Sequence, residues 1–160
     1  MDPFLYNVYY NSARIYTFDH LYYKLPRQII HRDLHDANIL IDGDKITAFL
    51  DFSSLVHVNV KMFDLCYYSY SFGWQHWHDD KKAARWVEIL KNLLSGYNAV
   101  SDITTDELDS LPYLFAFISL LWIAFTAMTT GKADDAGYDN IWTYDNRDKL
   151  LFSKQDLHEN

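Results

Sequence analysis

The sequence predicts an α+β fold that is mainly helical, with one short β-hairpin set into a chain otherwise made of helices. Three observations carry this. Hydrophobic residues form 49% of the 160 positions and aromatics 18%, enough to fill a packed core and too much for a disordered chain. Two β-type runs, Asn38-Ile-Leu-Ile and Lys45-Ile-Thr-Ala-Phe-Leu, meet across Asp42-Gly43, a strong short-range hairpin signal. From Met62 onward, apolar residues at helical spacing lie between polar caps. The length suits one domain, residues 1–160, and no internal repeat, low-complexity segment or linker divides it.

Taken in order, Asp2-Pro3 offers a helix start, and the aromatic-rich run behind it extends to about Leu25, where Pro26 ends it. Ile29 and Ile30 read as a short buried strand, followed by the polar loop 31–38 and the hairpin, whose second strand delivers Asp51. Helices are then expected from Met62 to about Phe72 and from Asp79 to Ser95, with Gly96 as C-cap. Thr104 and Glu107 have the spacing of a capping box. The helix they open runs towards Gly131 with a break expected at Pro112.

Charge and composition exclude several roles. A formal charge of -8, with no cluster of basic residues, disfavours nucleic acid. The lone Cys66 cannot form an internal disulfide and reads as a buried small side chain, and residues 1–14 lack the features of a signal peptide. A cytoplasmic location is expected. Leu111–Met128 is uncharged and close to the ~20 residues that span a bilayer, but it carries Pro112, Ser119 and Thr126 and lacks flanking positive clusters. It is expected to be a core helix, with no membrane partner.

The chemistry is concentrated in HRDLHDANILIDGDKITAFLDF, His31 to Phe52. Phosphoryl transfer needs a carboxylate to receive the proton of the attacking hydroxyl and oxygen ligands for the Mg²⁺ that bridges nucleotide phosphates. Asp33 and Asn38, five apart, and Asp51, returned by the hairpin, supply one base and two oxygen ligands. HRDLHDANILIDG followed by AFLDF resembles the signatures of the aminoglycoside phosphotransferase and choline kinase superfamily, which includes type II homoserine kinases and shares the protein kinase fold. MFDLCYY is similar to the family's YDLA segment, and LPRQIIH to its approach, so the resemblance covers about Leu25 to Tyr68.

This resemblance implies a C-terminal lobe of a protein-kinase-like fold, with the catalytic loop at 31–38, a metal-binding segment at 49–54 and a helical substrate side at 62–130. It implies Asp33 as catalytic base and Asn38 and Asp51 as Mg²⁺ ligands and cofactor-binding residues, with ATP as co-substrate. His35 would contact phosphate or substrate, His31 would hold the loop, and Asp64 would brace it. Arg32 replaces the glycine usual in the superfamily and gives the HRD spelling of protein kinases. His35, where protein kinases carry lysine, favours a small-molecule hydroxyl substrate. Ser53-Ser54 depart from the acidic or glycine residues that commonly follow Phe52.

Other readings of these residues exist. His31, Asp33 and His35 alternate and could share one face to bind zinc, but this leaves Asn38, the hairpin and Asp51 without a role. Isolated aspartates also cap turns. His76-Trp77-His78 is a weak metal signal, better read as surface or packing. Tyr6, Tyr9, Tyr10, Tyr22 and Tyr23 suit helix packing, while Trp74, Trp86, Trp122 and Trp142 could line a pocket or fill the core. Asp79, Asp80, Asp102, Asp106, Glu107 and Asp109 could suit a cationic acceptor, or simply sit at helix starts where the dipole favours acids.

About thirty residues precede His31, and all five glycines, Gly43, Gly73, Gly96, Gly131 and Gly137, follow the catalytic loop. A nucleotide lobe with a glycine-rich loop and strand-borne lysine is therefore expected to be absent. The expectation is a lobe that is a fragment of a longer enzyme, a lobe that has lost catalysis, or half of an assembly completed by an N-lobe partner. Its uncovered apolar face suggests a homodimer. Two functions compete: an ATP-dependent phosphotransferase, and a non-catalytic binding or regulatory module that keeps the loop.

Overall fold

A computed structural model describes residues 20–52, 56–73, 79–131 and 147–158. Residues 20–22 are helical and lead through a turn to Pro26. Then come β1 (Arg27–Ile30), a short 3₁₀ turn (Asp36–Asn38), β2 (Ile39–Asp42), β3 (Lys45–Phe49), β4 (His57–Val60), and helices α1 (Met62–Gly73), α2 (Asp80–Val100) and α3 (Thr105–Thr130). Two further 3₁₀ turns, Arg147–Leu150 and Gln155–Leu157, follow. The expected helix start at Asp2-Pro3, Tyr6, Tyr9, Tyr10, Ser53-Ser54, Trp74, His76-Trp77-His78 and Trp142 lie outside the described residues.

The strands form two antiparallel pairs, β1 with β4 and β2 with β3. In the first, Ile30 is buried while Ile29 is 72% exposed, so the expectation of a strand buried through both isoleucines is corrected. Successive strand side chains point to opposite faces, and only one face of this pair meets the core. Ile29 lies opposite Val58, and both are exposed. The hairpin turn also sits one residue later than the sequence suggests. Asp42 pairs with Lys45, leaving Gly43 and Asp44 as its two central residues, with Gly43 at φ 58°. That left-handed conformation is open to glycine without a Cβ penalty. A bulge near Leu40 and Ile41 shifts the register, and the facing pair Ile41 and Ile46 is exposed.

The core lies among α1, α2 and α3, with Cys66, Leu90, Leu94, Leu111 and Phe115 fully buried. Trp86 meets Phe115 edge-on at 5.4 Å, and its indole N–H donates to the Ser69 carbonyl at 2.7 Å, so this tryptophan belongs to the core. Cys66 is indeed a buried small side chain, and burial pushes its thiol pKa well up. Leu150 and Leu157 add the C-terminal segment to the same cluster.

The helix termini refine the sequence reading. Asp79 is an N-cap, accepting from the Lys81 and Lys82 amides at 3.0 and 3.1 Å. α2 does not end at Gly96 but continues to Val100 with Ser101 as C-cap. Leu90 and Leu94 are fully buried, and this packing outweighs the ~1 kcal/mol by which glycine disfavours a helix interior. The Thr104–Glu107 capping box is present, and α3 ends on Gly131 at φ 71°. No break occurs at Pro112. The burial of Leu108, Leu111, Leu114 and Phe115 around it holds the helix through the one missing hydrogen bond.

The expectation of a core helix at 111–128 is met only in part. α3 is long and apolar enough to cross a membrane, with 28% of its most apolar window buried. Its first half enters the core, whereas Phe125 and Met128 are exposed. The change follows the core, which takes in Leu108, Leu111, Leu114, Phe115 and Ile118 of α3 as fully buried residues.

Candidate active site

The loop between β1 and the 3₁₀ turn is fixed from below by α1. Asp64, in the first turn of that helix, accepts from the backbone amides of His31 and Arg32, both at 2.7 Å. Arg32 adopts φ 70°, a left-handed conformation that costs a non-glycine residue ~1–2 kcal/mol. The two charge-assisted bonds hold it there.

His31 completes the support. Its Nε2 lies 2.6 Å from the Leu50 carbonyl, and its Nδ1 accepts from the Asp33 amide at 3.3 Å. The Nε2–H tautomer satisfies both contacts. The ring also meets Phe52 edge-on at 4.8 Å and is 6% exposed. With both nitrogens engaged, His31 has no lone pair for zinc, so the alternating His31, Asp33 and His35 do not form a zinc site. Among the described residues no three His, Cys, Asp or Glu side chains are arranged to hold a metal by themselves.

Asn38 joins the two arms of the site. Its backbone amide donates to the His35 carbonyl at 2.9 Å, and its carbonyl accepts from the Leu50 amide at 2.8 Å. Its side-chain NH₂ donates to the Asp33 carbonyl at 2.8 Å and lies 3.2 Å from His35 Nε2. With the nitrogen so committed, Oδ1 is left as an acceptor. Asp51 follows Leu50 directly, is exposed, and adopts φ 56°, which aspartate tolerates better than most residues. An amide oxygen and a carboxylate are hard oxygen donors that fit Mg²⁺, which takes one or two protein carboxylates and completes its shell with water and phosphate.

Asp33 is partly buried, and its two oxygens face different partners. The Tyr67 hydroxyl donates to Oδ1 at 3.3 Å, and His35 Nε2 lies 3.8 Å from Oδ2, beyond direct hydrogen-bond reach. Burial, followed by the Asp33 charge and hydrogen bond, pushes the Tyr67 pKa up to about 12. Tyr68 is raised by burial and by the neighbouring Asp36.

The structure therefore gathers Asp33, His35 and Asn38 in one loop, sets Asp51 two residues beyond the end of β3, and places His31 and Asp64 as supports. Sequence reading missed Tyr67. Its signal was available: Tyr67 is three residues beyond Asp64, so one face of α1 presents both to the loop. Three of the six acidic residues considered for a cationic acceptor are committed elsewhere. Asp79 caps α2 and Asp102 pairs with Lys154 at 2.6 Å. Glu107 closes the capping box and lies 3.4 Å from Lys61.

A model of the phosphotransferase enzyme family matches residues 13–99, which include every one of these site residues. The chain belongs to this family. Within the wider aminoglycoside phosphotransferase and choline kinase superfamily, it is similar to the homoserine kinase of Agrobacterium fabrum, 33% identical over 90 residues that cover 56% of this chain and 26% of that protein. The Sinorhizobium fredii homoserine kinase is 29% identical over 99 residues, covering 62% and 28%. That of Methylobacillus glycogenes is 31% identical over 83 residues, covering 52% and 24%. The chain thus spans about a quarter of the length of these curated relatives. No solved structure matches it significantly.

Proposed function

We propose that this chain carries the catalytic and metal-binding part of an ATP-dependent phosphotransferase whose acceptor is the hydroxyl of a small molecule, with L-homoserine the first acceptor to test. One observation carries this reading: a loop holding Asp33, His35 and Asn38 is fixed by Asp64 and joined through Asn38 and Leu50 to Asp51. The homoserine kinase relatives support the choice of acceptor.

Asp33 orients the acceptor hydroxyl and receives its proton as the acceptor oxygen bonds to the γ-phosphorus. The bond from that phosphorus to the β-γ bridging oxygen breaks, and ADP leaves. Asn38 Oδ1 and the Asp51 carboxylate would hold Mg²⁺, which when bound neutralises phosphate charge. His35, half-exposed beside Asp33, is placed to contact phosphate or acceptor. His31 and Asp64 touch no reactant and keep the loop in shape. This arrangement is the C-terminal-lobe side of a protein-kinase-like site.

The test has two arms. Thermal unfolding with Mg²⁺ and ATP is compared with Mg²⁺ alone, where a ligand at a hundred times its Kd stabilises by ~2.7 kcal/mol. Asp51→Asn is expected to lose that shift. Weak ADP release with L-homoserine is expected in the wild type, since phosphoryl transfer depends on positioning both phosphates and acceptor, and none in Asp33→Asn. A chain that neither shifts nor turns over would instead support the non-catalytic reading.

A further inference from the structure

Tyr67 lies in the MFDLCYY segment but the resemblance gives it no role, yet its hydroxyl is the one side-chain hydrogen-bond donor to either oxygen of Asp33 among the described residues. Two rings stack against it. Phe63, one turn earlier in α1, stacks at 5.9 Å and 20°. Trp122, from α3, stacks at 6.2 Å and 23°, and Phe125 meets Trp122 edge-on at 5.8 Å. Such contacts restrict a tyrosine to two-fold flips and fix where its hydroxyl points. Tyr67 and Asp64 lie three apart on α1, so the helix that pins the loop backbone also carries the group that touches its carboxylate.

We infer that Tyr67 is a positioning residue for Asp33: its hydroxyl, held in the Phe63–Trp122 stack, donates to Oδ1, turning the carboxylate so that Oδ2 is presented to the acceptor hydroxyl. The inference rests on Asp33 being the base of the proposed reaction. The geometry supports it independently. A carboxylate bonded through one oxygen to a rigid donor loses most of its rotation about Cβ–Cγ, leaving the second oxygen in a defined place beside His35. Restricting a reacting group in this way lowers the barrier without altering how tightly either substrate binds.

The test uses the whole chain with Tyr67→Phe, Asp33→Asn and the double variant, ATP, Mg²⁺ and L-homoserine. Tyr67→Phe keeps the stack and removes only the hydroxyl. Turnover number is expected to fall roughly tenfold, with KM for either substrate and the melting temperature essentially unchanged. In the Asp33→Asn background the same change is expected to do nothing more. A rise in KM at constant kcat, or no change in kcat, overturns the positioning role.

A second readout needs no turnover. In protein labelled with ¹³Cζ-tyrosine, the line lost in Tyr67→Phe identifies Tyr67, and Asp33→Asn is expected to displace it. A line that does not move overturns the contact. If the line moves but L-homoserine is not phosphorylated by the wild type, the inferred contact stands and the reading of the chain as a homoserine phosphotransferase is what fails.

Discussion

Replacing Asp64 with alanine removes the acceptor of two backbone amides, those of His31 and Arg32, each bonded at 2.7 Å. An unsatisfied buried donor costs ~1–3 kcal/mol, and bonds to a charged group stand at the upper end of the range. Arg32 is exposed, so water can reach its amide and the lower figure applies there. The His31 amide lies beside a buried ring and takes a fuller penalty. The expected loss is therefore ~3 kcal/mol, which for a domain of this size lowers the melting temperature by roughly 6–12 °C. Asp64→Asn keeps one acceptor oxygen and turns an NH₂ towards the other amide, so at least half of the loss remains. Asp106→Ala serves as the control, since Asp106 is exposed in the first turn of α3 and should report only a helix-dipole effect of ~0.3–1 kcal/mol. Urea unfolding of the three variants with a common m-value decides the matter. If Asp64→Ala costs no more than Asp106→Ala, the loop is held by something other than the Asp64 carboxylate, and the reasoning fails.

Two further outcomes follow from the packing and the charges. Pro112→Ala restores the amide that can reach the Leu108 carbonyl within a continuous α3 and should stabilise by about 1–2 kcal/mol, part of the ~3 kcal/mol cost of an interior proline being offset by lost ring contact; a lower urea midpoint for the variant would contradict it. In acid, Asp102 is held below the usual aspartate range by the hydrogen bond from Lys154, and Asp156 by those from the Ser153 hydroxyl and amide. Folded values depressed in this way give stability that is present above the ordinary aspartate pKa and is lost as pH falls through the folded values. Melting temperature followed from neutral pH to pH ~2 should thus fall less steeply for Lys154→Ala than for the wild type near and below the usual aspartate value, and parallel curves would show that the pair is not coupled to folding.

What was legible in the sequence is short-range. The loop's aspartate and asparagine lie five residues apart, the capping box spans Thr104 to Glu107, and the hairpin is announced by its own turn residues. Each depends on groups that the local backbone alone brings together, and the structure contains all three. Asp64 was also legible, through its motif, although it acts across 33 residues on His31.

The misreadings and the omission share a different origin. The sequence predicts Ile29 buried, because apolar character does not state which face of a two-stranded sheet meets the core, and the structure exposes it. Local preference predicts a helix end at Gly96 and a break at Pro112. Buried neighbours on α2 and α3 carry the helices through both positions. Tyr67 went unremarked because its partners, Asp33, Phe63 and Trp122, meet only when α1 packs between the loop and α3. The sequence by itself therefore determined the chemical groups of the site and the spacing that places them in one loop. The tertiary structure decided which oxygen of Asp33 is held, by what, and how firmly, because orientation is set by side chains from distant elements that only the packed core brings within a hydrogen bond's reach.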